Sequence, residues 1–153
     1  MSYTRIVPIE FNHCDPAGIV FYPRYFEMIN SVVENFFEDY VGYSFARMHT
    51  GGNHHGVPTV SITCNFMAPS RLGDKVPFTL VVTGVGRSSL KVRITAAVGD
   101  EVRLTQQVVA GASPVHRFEV TGPDGAVLAL ASLWPRRVDV ARRRFLPPET
   151  ETC

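Results

Sequence analysis

The feature that most restricts the fold is a change of hydrophobic period partway along the chain. Between residues 22 and 40 the apolar side chains fall at Tyr22, Phe26, Ile29, Val33, Phe36, Phe37 and Tyr40, the spacing that lines one face of an α-helix. Glu27, Ser31, Glu34 and Glu38 occupy the opposite face. Pro23 suits a first helical turn, where its missing N–H is no loss, and Gly42 is placed to end the helix in a left-handed cap. The spacing predicts a helix of about five turns. Residues 44–57 contain Gly51, Gly52, Asn53 and Gly56 and read as a connecting loop.

Beyond that loop the period drops to two. Val60, Ile62, Cys64 and Phe66 alternate with Thr59, Ser61, Thr63 and Asn65, as a strand with one dry and one polar face requires. The pattern recurs at Val76, Phe78, Leu80 and Val82, at Leu90, Val92, Ile94 and Ala96, and at Val102, Leu104 and Val108. Turn signals separate the runs at 69–74, 84–89 and 99–100. Residues 3–11 mix β-branched and aromatic types with Pro8 and read as a short edge strand. The whole predicts an α+β layer, an antiparallel sheet with one helix across its face. A sheet covered on one side leaves a face and an edge to protect, so a homodimer or homotetramer is expected.

The 153 residues suit a single domain, 1–153, and 45% hydrophobic with 19% charged residues is a globular balance. A formal charge of +1 is far from what a nucleic-acid surface needs. No apolar run is long enough to span a bilayer, and the start lacks a basic segment followed by an apolar one, so neither membrane nor export is expected and the cytoplasm is the predicted location. Cys14, Cys64 and Cys153 are odd in number and lack CxxC spacing. They suggest neither a disulfide framework nor a zinc site. His54 and His55 carry no ligand-like spacing around them, and no metal is expected. The tail reads as a further hairpin at 115–134 around Gly122–Gly125, followed by the basic Arg136, Arg137, Arg142, Arg143 and Arg144. These read as a solvated terminus or a contact to phosphate.

One stretch stands apart: HCDPAGIVFYPRYF, residues 13–26. Pro16 and Gly18 force a turn after Asp15, and the long helix begins just beyond. The Asp15 carboxylate is therefore expected near a helix N-terminus, whose free N–H groups and positive pole favour an anion by about 0.3 to 1 kcal/mol. An ionised carboxylate there can act as base or nucleophile, and the same donors can hold an oxyanion. An Asp before Pro is also commonly no more than a turn or capping residue. Spacing alone leaves both readings open.

The stretch HCDPAGIVFYPRYFEMIN resembles the active-site signature of the 4-hydroxybenzoyl-CoA thioesterase family, through Asp15, Gly18, Ile19, Val20, Phe21, Tyr22, Pro23 and Tyr25. VPTVSITCNFMAPSRLGD and VGRSSL resemble the family's following strand and turns, so the similarity runs from about residue 6 to residue 110. The resemblance implies a hotdog fold, in which the sheet wraps a central helix, and a homo-oligomer with active sites at the subunit interface. It implies hydrolysis of an aryl- or short-chain acyl-CoA thioester without metal or other cofactor. Asp15 would be nucleophile or general base and the Tyr22 N–H would polarise the carbonyl. Gly18, Tyr25, Thr59 and Ser61 would meet the acyl group, the last two from the neighbouring subunit. Arg87, Ser88 and Ser89 would meet CoA, in a turn less basic than in the 4-hydroxybenzoyl-specific bacterial enzyme. Thr59 and Ser61 also fit the solvent face of an ordinary strand, His13 either orients Asp15 or lies exposed, and the tail after about 112 departs from the family's ending. A hotdog hydratase or dehydratase and a non-catalytic acyl-CoA-binding module are the competing functions.

Overall fold

The computed structural model describes residues 2–50 and 56–111, with the backbone of 138–139 and 144–145. The chain runs β1 (Ser2–Pro8), a 3-10 turn (Phe11–His13), α1 (Pro23–Asn35), a π-helical turn (Phe36–Val41), α2 (Phe45–Met48), β2 (Thr59–Phe66), β3 (Lys75–Val85), β4 (Ser89–Val98) and β5 (Glu101–Gly111). Two short strands, β6 (Val138–Asp139) and β7 (Arg144–Phe145), pair with each other. The whole of the expected hairpin at 115–134, the side chains of the late arginines, His54, His55 and Cys153 lie outside the described residues.

Five strands form one antiparallel sheet in the order β1-β3-β4-β5-β2, so β1 and β2 are its two edges. The period-two runs put Val76, Phe78, Leu80, Leu90, Val92, Ile94, Ala96, Leu104, Val108 and Ala110 on one face, all buried. Their core partners on the helix are Tyr25, Met28, Ile29, Val32 and Val33, continued by Phe36, Phe37 and Val41. The expected architecture is thus the observed one, a helix laid on one face of the sheet.

The buried stripe of the helix is rotated from the expected one. Tyr22 is 59% exposed, while Phe26 and Tyr40 are half-buried. The cause is local. Pro23 is the first residue of α1, so Tyr22 is the N-cap at the very end of the stripe, where α1 has no preceding turn to cover it. At the other end the chain widens into a π turn, and the extra residue per turn brings Phe36, Phe37 and Val41 to the core together. Gly42 closes it at φ 75°, its N–H donated to the Phe37 carbonyl. Phe36 stacks on Tyr40 at 5.4 Å and meets Tyr3 of β1 edge-on at 5.9 Å. The Tyr3 hydroxyl donates to Asp39 Oδ2 at 2.7 Å. Burial, then Asp39, raises the pKa of that phenol.

Of the expected loop at 44–57, the part before residue 51 contains a short helix. The Ser44 side chain accepts from the Arg47 N–H at 3.3 Å and caps α2, while Met48 is fully buried and Phe45 packs on Phe37. Three bulges interrupt the strand ladders, at Val60 in β2, Thr83 in β3 and Arg103 in β5, each the residue skipped by the pairing register. Gln106 of β5 belongs to the inner face and is 1% exposed, with neither end of its amide hydrogen-bonded.

Candidate active site

Residues 13–21 form a miniature hairpin. Cys14 and Val20 pair as a β-bridge, the Asp15 N–H donates to the Ile19 carbonyl at 2.9 Å, and the Phe21 N–H donates to the His13 carbonyl at 2.9 Å. Its tip is a tight turn in which the Ala17 N–H donates to Asp15 Oδ1 at 2.8 Å and the Gly18 N–H donates to the Asp15 carbonyl at 2.9 Å. Gly18 has φ 74°, a left-handed conformation that disfavours any side chain with a Cβ. Both backbone groups of Gly18 are occupied, since its carbonyl accepts the Leu72 N–H at 3.2 Å.

The hairpin delivers Phe21 and then Tyr22 directly into α1. Among the described residues the Tyr22 N–H donates to no backbone carbonyl, and as an N-cap group it stands at the positive end of the helix. One Asp15 oxygen is held by the turn, and among the described residues no hydrogen bond to the other is seen. Asp15 is half-buried and Tyr22 exposed, so a ligand can reach both. A carboxylate and a helix-start N–H carried by one hairpin can activate water or attack a carbonyl while the carbonyl oxygen is polarised.

Other sequence-derived residues fall in three places. Tyr25 is buried under the first turn of α1, its ring 5.7 Å from Phe66 and its hydroxyl unpartnered. Thr59 lines a groove between α1 and the β2 edge, about 190 Å³ in volume, with Phe26, Asn30, Val33, Ile62 and Ala110 among its walls. Ser61 is on the outer, exposed face of β2, because the bulge at Val60 separates its orientation from that of Thr59. Arg87, Ser88 and Ser89 form the β3–β4 turn, where Arg87 is exposed and the Gly86 N–H donates to the Ser89 carbonyl at 2.8 Å. His13 does not touch Asp15: its Nδ1 accepts the Glu10 N–H at 2.9 Å, and its ring faces a cleft of about 210 Å³ on the other flank of α1, with Arg5, Glu27 and Ser31.

The groove brings Thr59 together with Phe26, Ile29 and Val33 of the apolar helix stripe. Asn30 is the lining residue that sequence reasoning missed, its one signal being a polar side chain between Phe26 and Val33 at the margin of that stripe. No cluster of three His, Cys, Asp or Glu among the described residues is arranged to hold a metal. Cys14 and Cys64 are free thiols, and burial pushes the Cys64 thiol up, away from reactivity. No described helix is long and apolar enough to cross a membrane.

Among curated proteins the sequence matches none. Solved structures share its fold. The 4-hydroxybenzoyl-CoA thioesterase from Pseudomonas sp. strain CBS-3 is 21% identical, over 93% of this chain and 98% of that one, with a TM-score of 0.68. A gentisyl-coenzyme A thioesterase is 22% identical over 72% and 88%, with a TM-score of 0.66. The protein SAV2348 from Staphylococcus aureus, solved in complex with CoA, is 17% identical over 73% and 70%, also at 0.66. The sequence pattern of the thioesterase superfamily matches residues 17–105, more than half of the chain. With the hotdog arrangement of helix and sheet around that segment, the chain belongs to the thioesterase superfamily.

Proposed function

We propose that the protein hydrolyses an acyl-CoA thioester to a free acid and CoA, with Asp15 as nucleophile or general base and the Tyr22 N–H polarising the thioester carbonyl. The observation that carries this reading is the hairpin of residues 13–21, which joins the carboxylate turn to the unpaired N–H at the start of α1. As general base, Asp15 takes a proton from water as the oxygen attacks the carbonyl carbon. The C–S bond then breaks and the thiolate leaves to be protonated. As nucleophile, it forms a mixed anhydride that water opens. The groove beside Phe26 suits an aryl or short-chain acyl group. Its volume exceeds the roughly 150 Å³ of a dry apolar cavity that admits benzene.

The active unit is a homodimer or homotetramer. Asp15 lies at the Lys75 end of β3, because the Leu72 N–H bonds Gly18 and the Asp74 carbonyl bonds Ile9. The 11 residues of β3 carry the chain to the Arg87 turn, about 35 Å away at roughly 3.3 Å per residue. Arg87, Ser88 and Ser89 can therefore serve the ligand of Asp15 only from a second subunit. The edge strand β2 exposes Ile62 and Phe66 where such a partner would pair.

The test is thiol release from benzoyl-, 4-hydroxybenzoyl-, phenylacetyl- and short straight-chain acyl-CoAs, with light scattering on the same sample. Wild type releases thiol as an oligomer of at least two chains, and Asp15→Asn lowers kcat on the order of 100-fold to 10,000-fold without unfolding. Near-normal turnover by Asp15→Asn overturns the assignment. Tight CoA-ester binding without release points to a binding module, and a change confined to the acyl chain points to a hydratase.

A further inference from the structure

We infer that Arg103 is a positioning residue for the Asp15 hairpin, acting through the 67–74 turn; this rests on the reading of Asp15 as catalytic. The register of β4 and β5 passes from Ala96↔Leu104 to Ala97↔Val102, so Arg103 is the unpaired residue of a bulge. A bulge frees the backbone and re-aims the side chain it carries. Both consequences are visible. The Arg103 carbonyl accepts from the N–H groups of Met67 and Ala68, at 2.8 and 3.2 Å. Its guanidinium, only 12% exposed, turns back over the same segment.

There Nη1 donates to the Pro69 carbonyl at 2.6 Å and to Asp74 Oδ2 at 3.0 Å. Nε lies 3.0 Å from Glu101 Oε1 but off the N–H axis, an ion pair without an aligned hydrogen bond. Asp74 Oδ2 also accepts the Arg71 N–H at 2.9 Å. One cation thus fixes both ends of the turn from Pro69 to Asp74.

The turn in turn holds the hairpin by main chain alone. The Val20 N–H donates to the Ser70 carbonyl at 2.9 Å, the Leu72 N–H donates to the Gly18 carbonyl at 3.2 Å, and Ile19 pairs with Arg71 as a β-bridge. Gly73 and Asp74 exchange further bonds with Ile9, at 2.9 and 2.8 Å. Every link from Arg103 to the Asp15 turn is a hydrogen bond or a covalent neighbour. A misplacement of about 1 Å at a reacting group can cost on the order of 100-fold in rate. Arg103 touches no substrate in this scheme; it sets where Asp15 and the Tyr22 N–H stand.

The test combines thiol-release kinetics with amide hydrogen exchange on the intact chain. Arg103→Met keeps the apolar stem and removes the fork. It is expected to lower kcat about 10-fold to 100-fold with KM within about 2-fold. Val20 and Leu72 lose exchange protection, and Val92 and Ile94 in the sheet keep theirs. Arg103→Lys restores part of kcat, since a single ammonium cannot reproduce the planar fork. Asp74→Asn gives a smaller loss of the same kind, and the double variant loses less than the two losses combined because Arg103 and Asp74 share one contact. If Arg103→Met does not fold, Asp74→Asn carries the same two readouts. Unchanged protection at Val20 and Leu72, or loss of that protection with unchanged kcat, overturns the inference. Absence of thiol release by the wild type instead overturns the hydrolase reading, and the exchange data still decide whether Arg103 holds the hairpin.

Discussion

The two ends of the candidate site are built on opposite terms. Around Asp15 nearly every constraint is internal: a hairpin closed by its own backbone bonds, a second turn bonded to it, and a half-buried arginine tying that turn down. Along β2 the groove has apolar walls, an edge strand whose outer side pairs with no strand among the described residues, and exposed Ile62 and Phe66. Under the proposed reading the described residues supply the reacting geometry from one hairpin and its turn, while the groove opens at a sheet edge. Preorganised polar groups lose most by displacement, whereas an apolar groove discriminates by volume. Damage to the first region should therefore lower turnover for every ester, and damage to the second should re-rank esters.

The largest expected effect that would break this contrast comes from Gly18→Val. A left-handed residue with a Cβ is strained by roughly 1 to 2 kcal/mol, more for a β-branched one. Nothing lies within 4 Å of an added Cβ, so the penalty is conformational, not steric. Turnover should fall at least about 10-fold for all acyl groups alike, alongside a lower urea midpoint. A loss confined to long esters would mean that the turn shapes the groove after all.

Ala110→Leu acts on the other side. Ala110 is buried in the groove wall, and a few added methyl groups typically change discrimination by about 10-fold or more. kcat/KM for hexanoyl-CoA should drop by that factor and acetyl-CoA should be little affected. An equal loss for both would erase the distinction between the regions.

The smallest effect is in pH. The Arg71 N–H and, beyond it, Arg103 hold the Asp74 carboxyl below the ordinary carboxylate range, against the opposing pull of burial. A depressed folded-state pKa contributes stability that is complete above the ordinary value of about 3.9 and is lost as pH falls through the lower folded value. The gap in urea midpoint between wild type and Asp74→Asn should then be constant from about pH 5 to pH 8 and shrink below about pH 4. A gap that widens on acidification would mean that Asp74 is not stabilised as a carboxylate.

Much of the fold was legible because it rests on period. The helix from Pro23 and the strands β2 to β5 each repeat an apolar residue at the spacing of their own geometry. Gly18 and Pro23 were legible because their backbone demands are unusual, whereas Asp15 was singled out by the family resemblance, its spacing leaving a capping role open. The features that escaped depend on pairing across the sheet. Arg103 follows Val102 in an alternating run and reads as an ordinary solvent-facing charge; only the register against Ala96 and Ala97 makes it a bulge residue. Gln106 occupies an inner position that period two assigns to an apolar side chain, and nothing in its neighbours announces burial. The rotation of the helix stripe from Tyr22 toward Tyr25 came from the cap and the π turn, both of which break the period used to find it.

The bulge at Val60 makes the site sensitive to counting. Along a strand, odd and even positions belong to opposite faces, and one supernumerary residue reverses the parity of everything before it. Thr59 faces the groove because Val60 is skipped against β5, with Ala110 opposite Thr59 and Val109 opposite Ser61. Deleting Val60 would straighten the strand and keep both of those pairs, so Thr59 would stay inward and Ser61 outward. Straightening it with every residue kept would instead bring Val60 opposite Ala110 and turn Thr59 outward. At this edge the identity of a groove residue is a matter of arithmetic as much as of chemistry, and the threonine owes its place in the groove to one residue that the ladder leaves out.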